Sequence, residues 1–408
     1  MLRSMFTAIS ALNLHQDYLD VISDNLANAN TTGFKSSRVV FQDLLSEVIS
    51  PGAAPAGSKG GVNPTQIGLG AQLGYIAPVF TQGMTQSTGR NLDCAIQGEG
   101  FFIFDQGLDR RYSRDGSFTV DASGYLVSSS SGLRVQGWQN PNPGATTLDT
   151  NAGIGEIIIP LDNTIARETA TVRLGGNLDS ETAIDGIVNT SFTVFDSMGV
   201  THNPAVRFTR TGANTWSWTA TSPAGVTGSG TVTFDSSGHV SATNPATSTI
   251  TFPGSTGAEQ VDFTVDMTDI TMLANSNSVA STFQDGLAAG SVSDIYIAQN
   301  TGQVYAVYSN GLKELVGQVA LASFTNPSGL IRDGGNYFMI GLNSGEPAIS
   351  AADSAGKGKI MTSSLEASNV DMAQEFTNMI LAQRGFQASS RVISTSDEIL
   401  QELVNLKR

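Results

Sequence analysis

The chain has 408 residues, a formal net charge of −15 and only 14% charged residues. The acidic balance argues against binding to nucleic acid, because no basic stripe could neutralise phosphates, and it disfavours binding to anionic membranes. One cysteine, Cys94, excludes an intramolecular disulfide, and no stretch reaches the roughly 20 apolar residues that would span a bilayer.

The N-terminal region is predicted to form one amphipathic helix over residues 1–28, which turn-forming residues then end. Apolar residues recur every seven positions, and this period is typical of helices that supercoil around one another. Gln16 and Ser23 interrupt the stripe, and polar seam residues of this kind can fix the register of a helix pair. The predicted seam residues are Met5, Ile9, Leu12, Leu19, Ile22 and Leu26.

The segment 34–70 is mixed. Phe41, Leu44, Leu45 and Val48 have helical spacing, whereas residues 51–61 are rich in Gly, Pro and Ala and are interpreted as a hinge loop.

Strand signals fill the middle of the chain. Phe101–Phe104 is a candidate buried strand, and residues 141–285 are rich in Thr, Ser and Gly, which indicates a separate β domain. Trp216 and Trp218 lie on one face of a strand, where core packing is favoured over sugar binding. Four turns predict hairpins: Asp121–Gly124, Asp196–Gly199, Asp235–Gly238 and Asn310–Gly311.

A second long helix is predicted at the C-terminus, with Ser368 and Asp371 opening it as a variant of the capping box. Gln383 and Ser390 interrupt its seven-residue repeat, as the polar residues do in the first helix. Its predicted seam residues are Phe376, Met379, Phe386, Ile393, Leu400 and Leu403. A further hypothesis is that two charged faces meet within or between subunits: Asp17, Asp20 and Asp24 on one helix and Arg384 and Arg391 on the other.

The predicted fold is mainly β with a terminal α-helical coiled coil, in nested discontinuous domains: two β domains plus paired N- and C-terminal helices. The helices could simply pack on a core, but a two-helix seam this thin would be marginal alone, which favours assembly with other copies. The predicted divisions are a terminal coiled coil (1–28 and 369–408), a connecting segment (29–70 and 355–368), an inner β domain (71–143 and 285–354) and an outer inserted β domain (144–284).

Catalytic, cofactor-binding and metal-binding residues are not predicted, and the chain is not expected to be an enzyme. His15, His202 and His239 are scattered without metal-ligand spacing, and Cys94 sits in an apolar run typical of a core. An extracellular β-rich adhesin or hydrolase is a less favoured alternative, because it would need a clustered set of functional residues.

Both ends of the sequence resemble the family of bacterial flagellar rod and hook proteins. The segment 25–35 is similar to the family's N-terminal signature, and residues 366–387 are similar to its C-terminal signature. Segments 88–116 and 317–324 are similar to the family's first β domain. The signature residues are Asn25, Leu26, Asn28, Asn30, Thr31, Gly33, Phe34, Lys35, Ser368, Asn369, Val370, Asp371, Gln383 and Arg384.

The resemblance implies a structural subunit that polymerises with itself into a helical tube at the cell surface, as part of the flagellum and its basal body. It implies export through the flagellar type III apparatus without a cleaved signal, in agreement with the absence of a visible cleavage site after Arg3. Met5 and Ile9 fall where relatives carry an export-gate motif of Phe and an aliphatic residue. The large insert favours the hook branch, whose curved tube transmits torque from rod to filament, over a distal rod or hook–filament junction subunit. Implied partners are rod, hook-cap and hook–filament junction proteins, with no nucleic acid, no membrane insertion and no cofactor.

Overall fold

The computed structural model describes residues 2–406 apart from 53, 56–59, 108, 142–144, 146, 222–226, 246–247, 253–256 and 355. The chain is mainly β with one long helix near each end, as predicted. It divides into two compact units. The first comprises Met1–Ile159, Tyr296–Tyr305 and Leu315–Arg408, and the second comprises Pro160–Ile295 and Ala306–Glu314. The finer division into four domains remains a prediction.

The regular elements follow in chain order. The first stretch forms α1 (Leu2–Ala27), β1 (Ser37–Asp43), β2 (Ser46–Ser50), β3 (Thr65–Gly68), β4 (Ala71–Pro78), β5 (Thr85–Ser87), β6 (Cys94–Gln97), β7 (Phe101–Asp105), β8 (Arg110–Ser113), β9 (Phe118–Val120), β10 (Leu126–Ser128), β11 (Arg134–Gln139) and β12 (Gly155–Glu156). The middle stretch forms β13 (Thr164–Arg167), β14 (Thr171–Asp179), β15 (Ile187–Ser191), β16 (Val194–Phe195), β17 (Thr201–His202), β18 (Ala205–Arg210), β19 (Thr215–Thr221), β20 (Ser229–Phe234), β21 (Val240–Asn244), β22 (Ser248–Phe252), β23 (Val261–Leu273) and β24 (Ala280–Gln284). The last stretch forms β25 (Leu287–Ile297), β26 (Gln303–Tyr308), β27 (Lys313–Ser323), a 3₁₀ turn (Pro327–Gly329), β28 (Ile331–Arg332), β29 (Tyr337–Met339), β30 (Ala348–Ala351), β31 (Lys359–Thr362), β32 (Ser364–Glu366) and α2 (Met372–Leu406).

The core of the first unit lies on an antiparallel sheet with the strand order β27–β11–β7–β8–β29–β28. All four residues of Phe101–Phe104 are buried, which confirms the strand predicted from this apolar run. The ring of Phe101 packs edge-to-face against Phe324 and Phe338, while Phe102 packs against Phe118 on the other face. Both faces of β7 are therefore covered, as a continuous apolar strand requires.

The second unit is built around two sheets with the orders β22–β23–β14–β24 and β15–β18–β19–β20–β21. Trp216 and Trp218 are both buried in its core, so these rings pack the unit rather than offer a surface for sugars. The turns at 196–199 and 235–238 connect paired antiparallel strands, which confirms both predicted hairpins.

The segment between α1 and β4 is extended, so the helical spacing noted at residues 41–48 gave a wrong interpretation. β1 pairs antiparallel with β4, and β2 pairs with β3. β1 contains the β-branched pair Val39-Val40, which favours strand over helix. The predicted hinge at 51–61 falls partly outside the described residues.

The cap of α2 differs from the sequence prediction. The Asp371 carboxylate accepts hydrogen bonds from the backbone N–H groups of Ala373 and Gln374, at 2.9 and 3.1 Å, so Asp371 itself is the N-cap. Ser368 Oγ instead accepts from the Val370 N–H at 3.3 Å, in a turn that precedes the helix. Glu375 lies in the first turn, where the helix dipole favours a negative charge.

Replacing the cap, Asp371→Ala, is expected to destabilise the first turn of α2 by about 1 kcal/mol, because two N–H groups lose their acceptor. Hydrogen exchange of the amides at 372–376 measures this loss. Ser368→Ala is the matched control and is expected to leave those amides unchanged. Equal effects from the two variants would contradict the assignment of Asp371 as the cap.

Candidate functional site

The two terminal helices pack against each other in the first unit and run antiparallel. Asn25 Nδ2 donates to Glu375 Oε1 at 3.3 Å near one end of the pair, and His15 lies beside Gly385 at its middle. Ala8 and Val392 line one groove farther along. The numbers of opposite residues therefore add to roughly 400, which defines the register of the pair.

The predicted seam residues occupy different environments in this helix pair. Ile22 is buried, whereas Ile9 and Phe376 are 39% and 51% exposed. The side chain of Leu403 lies outside the described residues. The remaining seam residues are partly buried: Met5, Leu12, Leu19, Leu26, Met379, Phe386, Ile393 and Leu400. Their role in assembly stays a prediction.

A second seven-residue repeat, of which the sequence predicted only Ile22, is also buried or partly buried in the helix pair. It is offset by three positions from the first, as the two seam positions of a heptad are. Apart from Ile22, its members are small or polar side chains that are buried or partly buried: Ala8 and His15 on α1, and Ala382, Ser389 and Ser396 on α2. Gln16, Ser23, Gln383 and Ser390, predicted to interrupt the seam, are exposed instead.

The helix pair leaves a large apolar surface exposed, mostly on α2. By the register above, the first residue of α1 lies opposite residue 398. Residues 399–406 of α2 therefore have no residue of α1 beside them and extend about 12 Å beyond it. Apolar residues of α2 that are at least 42% exposed are Met372, Phe376, Ile380, Leu381, Val392, Ile399 and Val404. Neither helix is long and apolar enough to cross a membrane over its described residues.

The charged faces of the helices do not meet in the described part of the chain. Asp24 pairs with Arg332 at 3.6 Å, and among the described residues no ion pair joins the three α1 aspartates to Arg384 or Arg391. Arg384 Nη1 instead donates to Gln387 Oε1 on its own helix. The hypothesis of a contact between subunits stays a prediction.

Both family signatures meet in a buried charged cluster at the base of the helices, formed by Lys35, Glu366 and Arg114. Lys35 Nζ lies 2.5 Å from Glu366 Oε1 and donates to the Thr81 carbonyl at 2.8 Å. Arg114 Nη1 lies 3.4 Å from Glu366 Oε2, and the Gly83 N–H donates to Glu366 Oε1 at 2.8 Å. The three charged side chains are at most 4% exposed.

Burial dominates the electrostatics of this cluster. It lowers the pKa of Lys35, and the neighbouring Glu366 carboxylate opposes that shift. Burial also lowers the pKa of Arg114, again opposed by Glu366. Each cation therefore depends on one carboxylate to remain charged in the interior, and loss of a partner leaves an uncompensated buried charge.

Two signature asparagines tie the helices to the β1–β4 ribbon through their amide groups. Asn25 accepts from the Ser37 N–H at 2.8 Å and donates to the Ser37 carbonyl at 2.9 Å. Asn369 accepts from the Ser36 N–H at 2.7 Å and donates to the Val79 carbonyl at 2.8 Å. One asparagine from each end of the chain thus binds the same short stretch of backbone.

Gly33 and Phe34 add further contacts to this junction, by which we mean the region where the chain after α1 meets the buried cluster. The Gly33 N–H donates to the Glu366 carbonyl at 2.8 Å, with a φ of 69° that favours glycine. The guanidinium of Arg332 lies 4.9 Å from the centre of the Phe34 ring and also donates to the Lys35 carbonyl. These contacts fix the path of the chain between α1 and β1.

The other signature residues have local or exposed positions. Asn28 Nδ2 donates to the Asp24 carbonyl at 2.9 Å, and Thr31 donates to Asn28 Oδ1, so both stabilise the turn after α1. Asn30, Gln383 and Arg384 are exposed, whereas Leu26 and Val370 are partly buried.

Sequence reasoning missed Glu366, Arg114 and Arg332 as functional residues, although the first two lie within the matched segments. Arg114 and Glu366 are separated by 252 residues along the chain, so no local spacing reveals their contact. The available signal was compositional: in a chain with few charges, a charged residue within a strand-forming motif indicates a buried partner.

Cys94 lies in β6, in the same unit as this cluster, and is fully buried. Burial raises the pKa of its thiol, with Asp93 adding to the effect, so the reactive thiolate is suppressed. We expect a soluble disulfide reagent to label Cys94 roughly a thousandfold more slowly in the native protein than in denaturant. Equal rates would show that β6 is open in the native state.

Comparison with known proteins places the chain in a family. Family models match at residues 5–35 (flagella basal body rod protein), 95–176 (flagellar hook protein FlgE/F/G D1 domain), 160–287 (flagellar basal body protein FlaE D2 domain) and 361–406 (flagellar basal body rod FlgEFG protein C-terminal). The chain is 36% identical to the flagellar hook protein FlgE of Treponema pallidum, over 100% of both chains, and 34% identical to that of Escherichia coli, over 98% of this chain and 99% of the other. It is 31% identical to the flagellar basal-body rod protein FlgG of Bacillus subtilis, over 100% of both chains. The chain belongs to the flagellar hook and rod protein family, with full-length similarity to its hook proteins.

Proposed function

We propose that this chain is the structural subunit of the bacterial flagellar hook, which polymerises into a flexible, curved helical tube and transmits torque from rod to filament. Full-length similarity to hook proteins supports the branch of the family. The observation that carries the assembly mechanism is the uncovered apolar surface of α2, including the residues that extend beyond α1.

Polymerisation follows from the geometry of that surface. The exposed stripe is left uncovered by α1 of the same chain, although most of it lies alongside α1, and Ile399 and Val404 lie beyond α1 altogether, so neighbouring copies must cover it. Head-to-tail contacts of this kind do not close and generate a helical assembly. Each Å² of apolar surface buried contributes roughly 25 cal/mol, so modest contacts repeated along the tube give strong cohesion.

The role is mechanical rather than enzymatic. The buried cluster at the base of the helices connects them rigidly to the sheet of the first unit, which provides a path for force within one subunit. The hydroxyl-rich second unit would make weaker polar contacts that re-form as the tube bends. Rod, hook-cap and junction proteins would bind at the two ends, and the type III apparatus would export the chain to the cell surface.

Electron microscopy of the polymerised full-length protein tests the proposal. Curved tubes are expected, and deletion of residues 1–28 or 369–408 should give a folded monomer that does not polymerise. Straight tubes would favour the alternative of a distal rod or hook–filament junction subunit. The similarity to a rod protein of Bacillus subtilis supports testing that alternative. Polymerisation of either truncated chain would overturn the role of the helices.

The exposed stripe can be tested at one residue. Ile380→Asn on α2 is expected to raise the critical concentration for polymerisation about tenfold, because burying an unpaired amide at an interface is unfavourable. Ile187→Asn is the matched control: its side chain is 54% exposed, against 58% for Ile380, but it lies in the second unit. Sedimentation of polymer against total protein gives both values, and a larger effect at Ile187 would contradict the proposal.

A further inference from the structure

Gly385 is the only glycine in either terminal helix, and it lies directly against His15 of the opposite helix. A Cβ atom built on Gly385 would lie 2.4 Å from Nε2 and 2.5 Å from Cε1 of His15. Ordinary contacts of a Cβ begin at about 3.4 Å, so the imidazole occupies the space that any other residue would fill.

The environment of His15 is mostly apolar and tight. Its ring is half-buried, and Nδ1 is shielded from solvent without a hydrogen-bond partner among the described residues. Ala382, one turn before Gly385, is 1% exposed, and Ser389, one turn after it, is partly buried. The imidazole is thus a large side chain inserted into a face of α2 that is otherwise made of small residues.

The contact distinguishes one register from its neighbours. If the helices slid by one turn, the imidazole would lie opposite Ala382 or Ser389, whose side chains occupy the space that Gly385 leaves free. The apolar repeats themselves would tolerate a slip by one heptad, because such a shift again places apolar residues together. The His15 imidazole does not tolerate a slip, because Gly385 is the one position of α2 that leaves room for it.

We infer that His15 and Gly385 form a register lock, in which the imidazole fits only against glycine and thereby fixes where α1 and α2 pair. The inference rests on the proposed function, since correct pairing determines which apolar residues of α2 face neighbouring copies. Both are positioning residues, which act on assembly through the helix pair.

The direction in which Gly385→Ala changes the critical concentration for polymerisation tests the lock. Alanine favours helix over glycine by roughly fivefold in the helix–coil equilibrium, so Gly385→Ala should strengthen α2 if nothing opposes it. The lock predicts the opposite: the methyl group displaces His15, and the critical concentration for polymerisation rises at least tenfold. The double variant His15→Ala/Gly385→Ala removes the ring and should return the critical concentration to within about threefold of the unsubstituted chain.

The outcomes distinguish failure of the lock from failure of the proposed function. Unchanged or improved polymerisation of Gly385→Ala overturns the lock, and so does a loss that the double variant fails to rescue. If the unsubstituted chain does not polymerise, the proposed function fails. The lock is then judged from hydrogen exchange of the amides of α1 and α2, which should be faster in Gly385→Ala and restored in the double variant; unchanged exchange overturns it.

Discussion

Lys35→Met is expected to destabilise the first unit by about 3 kcal/mol or more. The Lys35–Glu366 pair is fully buried at 2.5 Å, and the substitution leaves the Glu366 carboxylate with one cation, Arg114, at the longer distance of 3.4 Å. Methionine matches the length of the lysine stem, so the loss reports the buried charge rather than a cavity. The helices would then lose their rigid connection to the sheet.

Cys94 provides the measurement, because it is the only thiol and lies in the same unit. Its labelling rate reports the free energy of opening this unit, and each tenfold increase corresponds to about 1.4 kcal/mol. A local measurement is needed, since a chain of two units has no single free energy of unfolding. Labelling should be at least a hundredfold faster in Lys35→Met.

Lys359→Met is the matched control for this prediction. Lys359 also pairs with a carboxylate, Asp353 at 3.7 Å, but both side chains are about half exposed. Exposed pairs contribute about 1 kcal/mol or less, because water screens the charges and the side chains lose rotamer freedom. An equally small change from both variants would show that the buried cluster does not hold the unit together.

The fold class could be predicted because its signals are local. The long apolar repeats predict helices, and turns such as Asp196–Gly199 predict hairpins from a few neighbouring residues. The extended segment at β1 was harder to predict, because Phe41, Leu44 and Leu45 match a helical period by coincidence. Pairing with β4, across about 30 residues of chain, overrides that local preference.

Half of the helix seam could be predicted and half could not. Leucine and methionine at seven-residue spacing give a clear pattern, whereas Ala8, Ser389 and Ser396 carry no apolar signal although they line the contact. The role of small residues can be recognised only once the partner helix is known, because they act by allowing the two helices to approach each other closely. The role of His15 was the hardest to predict from the sequence, because it depends entirely on Gly385 on the opposite helix.

The junction was recognised as a signature but not understood as a site. The resemblance identified Lys35 and Asn369, while their partners lie hundreds of residues away along the chain. The structure supplies the physical reason that these residue types occur together: a buried lysine needs a carboxylate, and the edge of the β1–β4 ribbon needs amides to satisfy its backbone.

Gly33→Ala is expected to destabilise the same junction by about 3 kcal/mol or more, through two separable effects. Gly33 has a φ of 69°, a conformation that any residue with a Cβ adopts at a penalty of roughly 1 kcal/mol. The added Cβ would also lie 2.6 Å from the backbone nitrogen of Asp115, and a backbone atom cannot swing aside as a side chain can. The chain after α1 would have to move away from the loop that carries Arg114.

Gly132→Ala separates the two effects, because Gly132 has nearly the same φ, 72°, but no atom within 4 Å of an added Cβ. It lies in the same unit, so the labelling rate of Cys94 reads both variants. We expect roughly a fivefold increase for Gly132→Ala and at least a hundredfold increase for Gly33→Ala. Equal increases would mean that backbone conformation alone requires glycine at position 33. A larger effect at Gly33 would mean that the close approach of the chain after α1 to the backbone of Asp115 also requires glycine at this position, because any Cβ there would push the two segments apart.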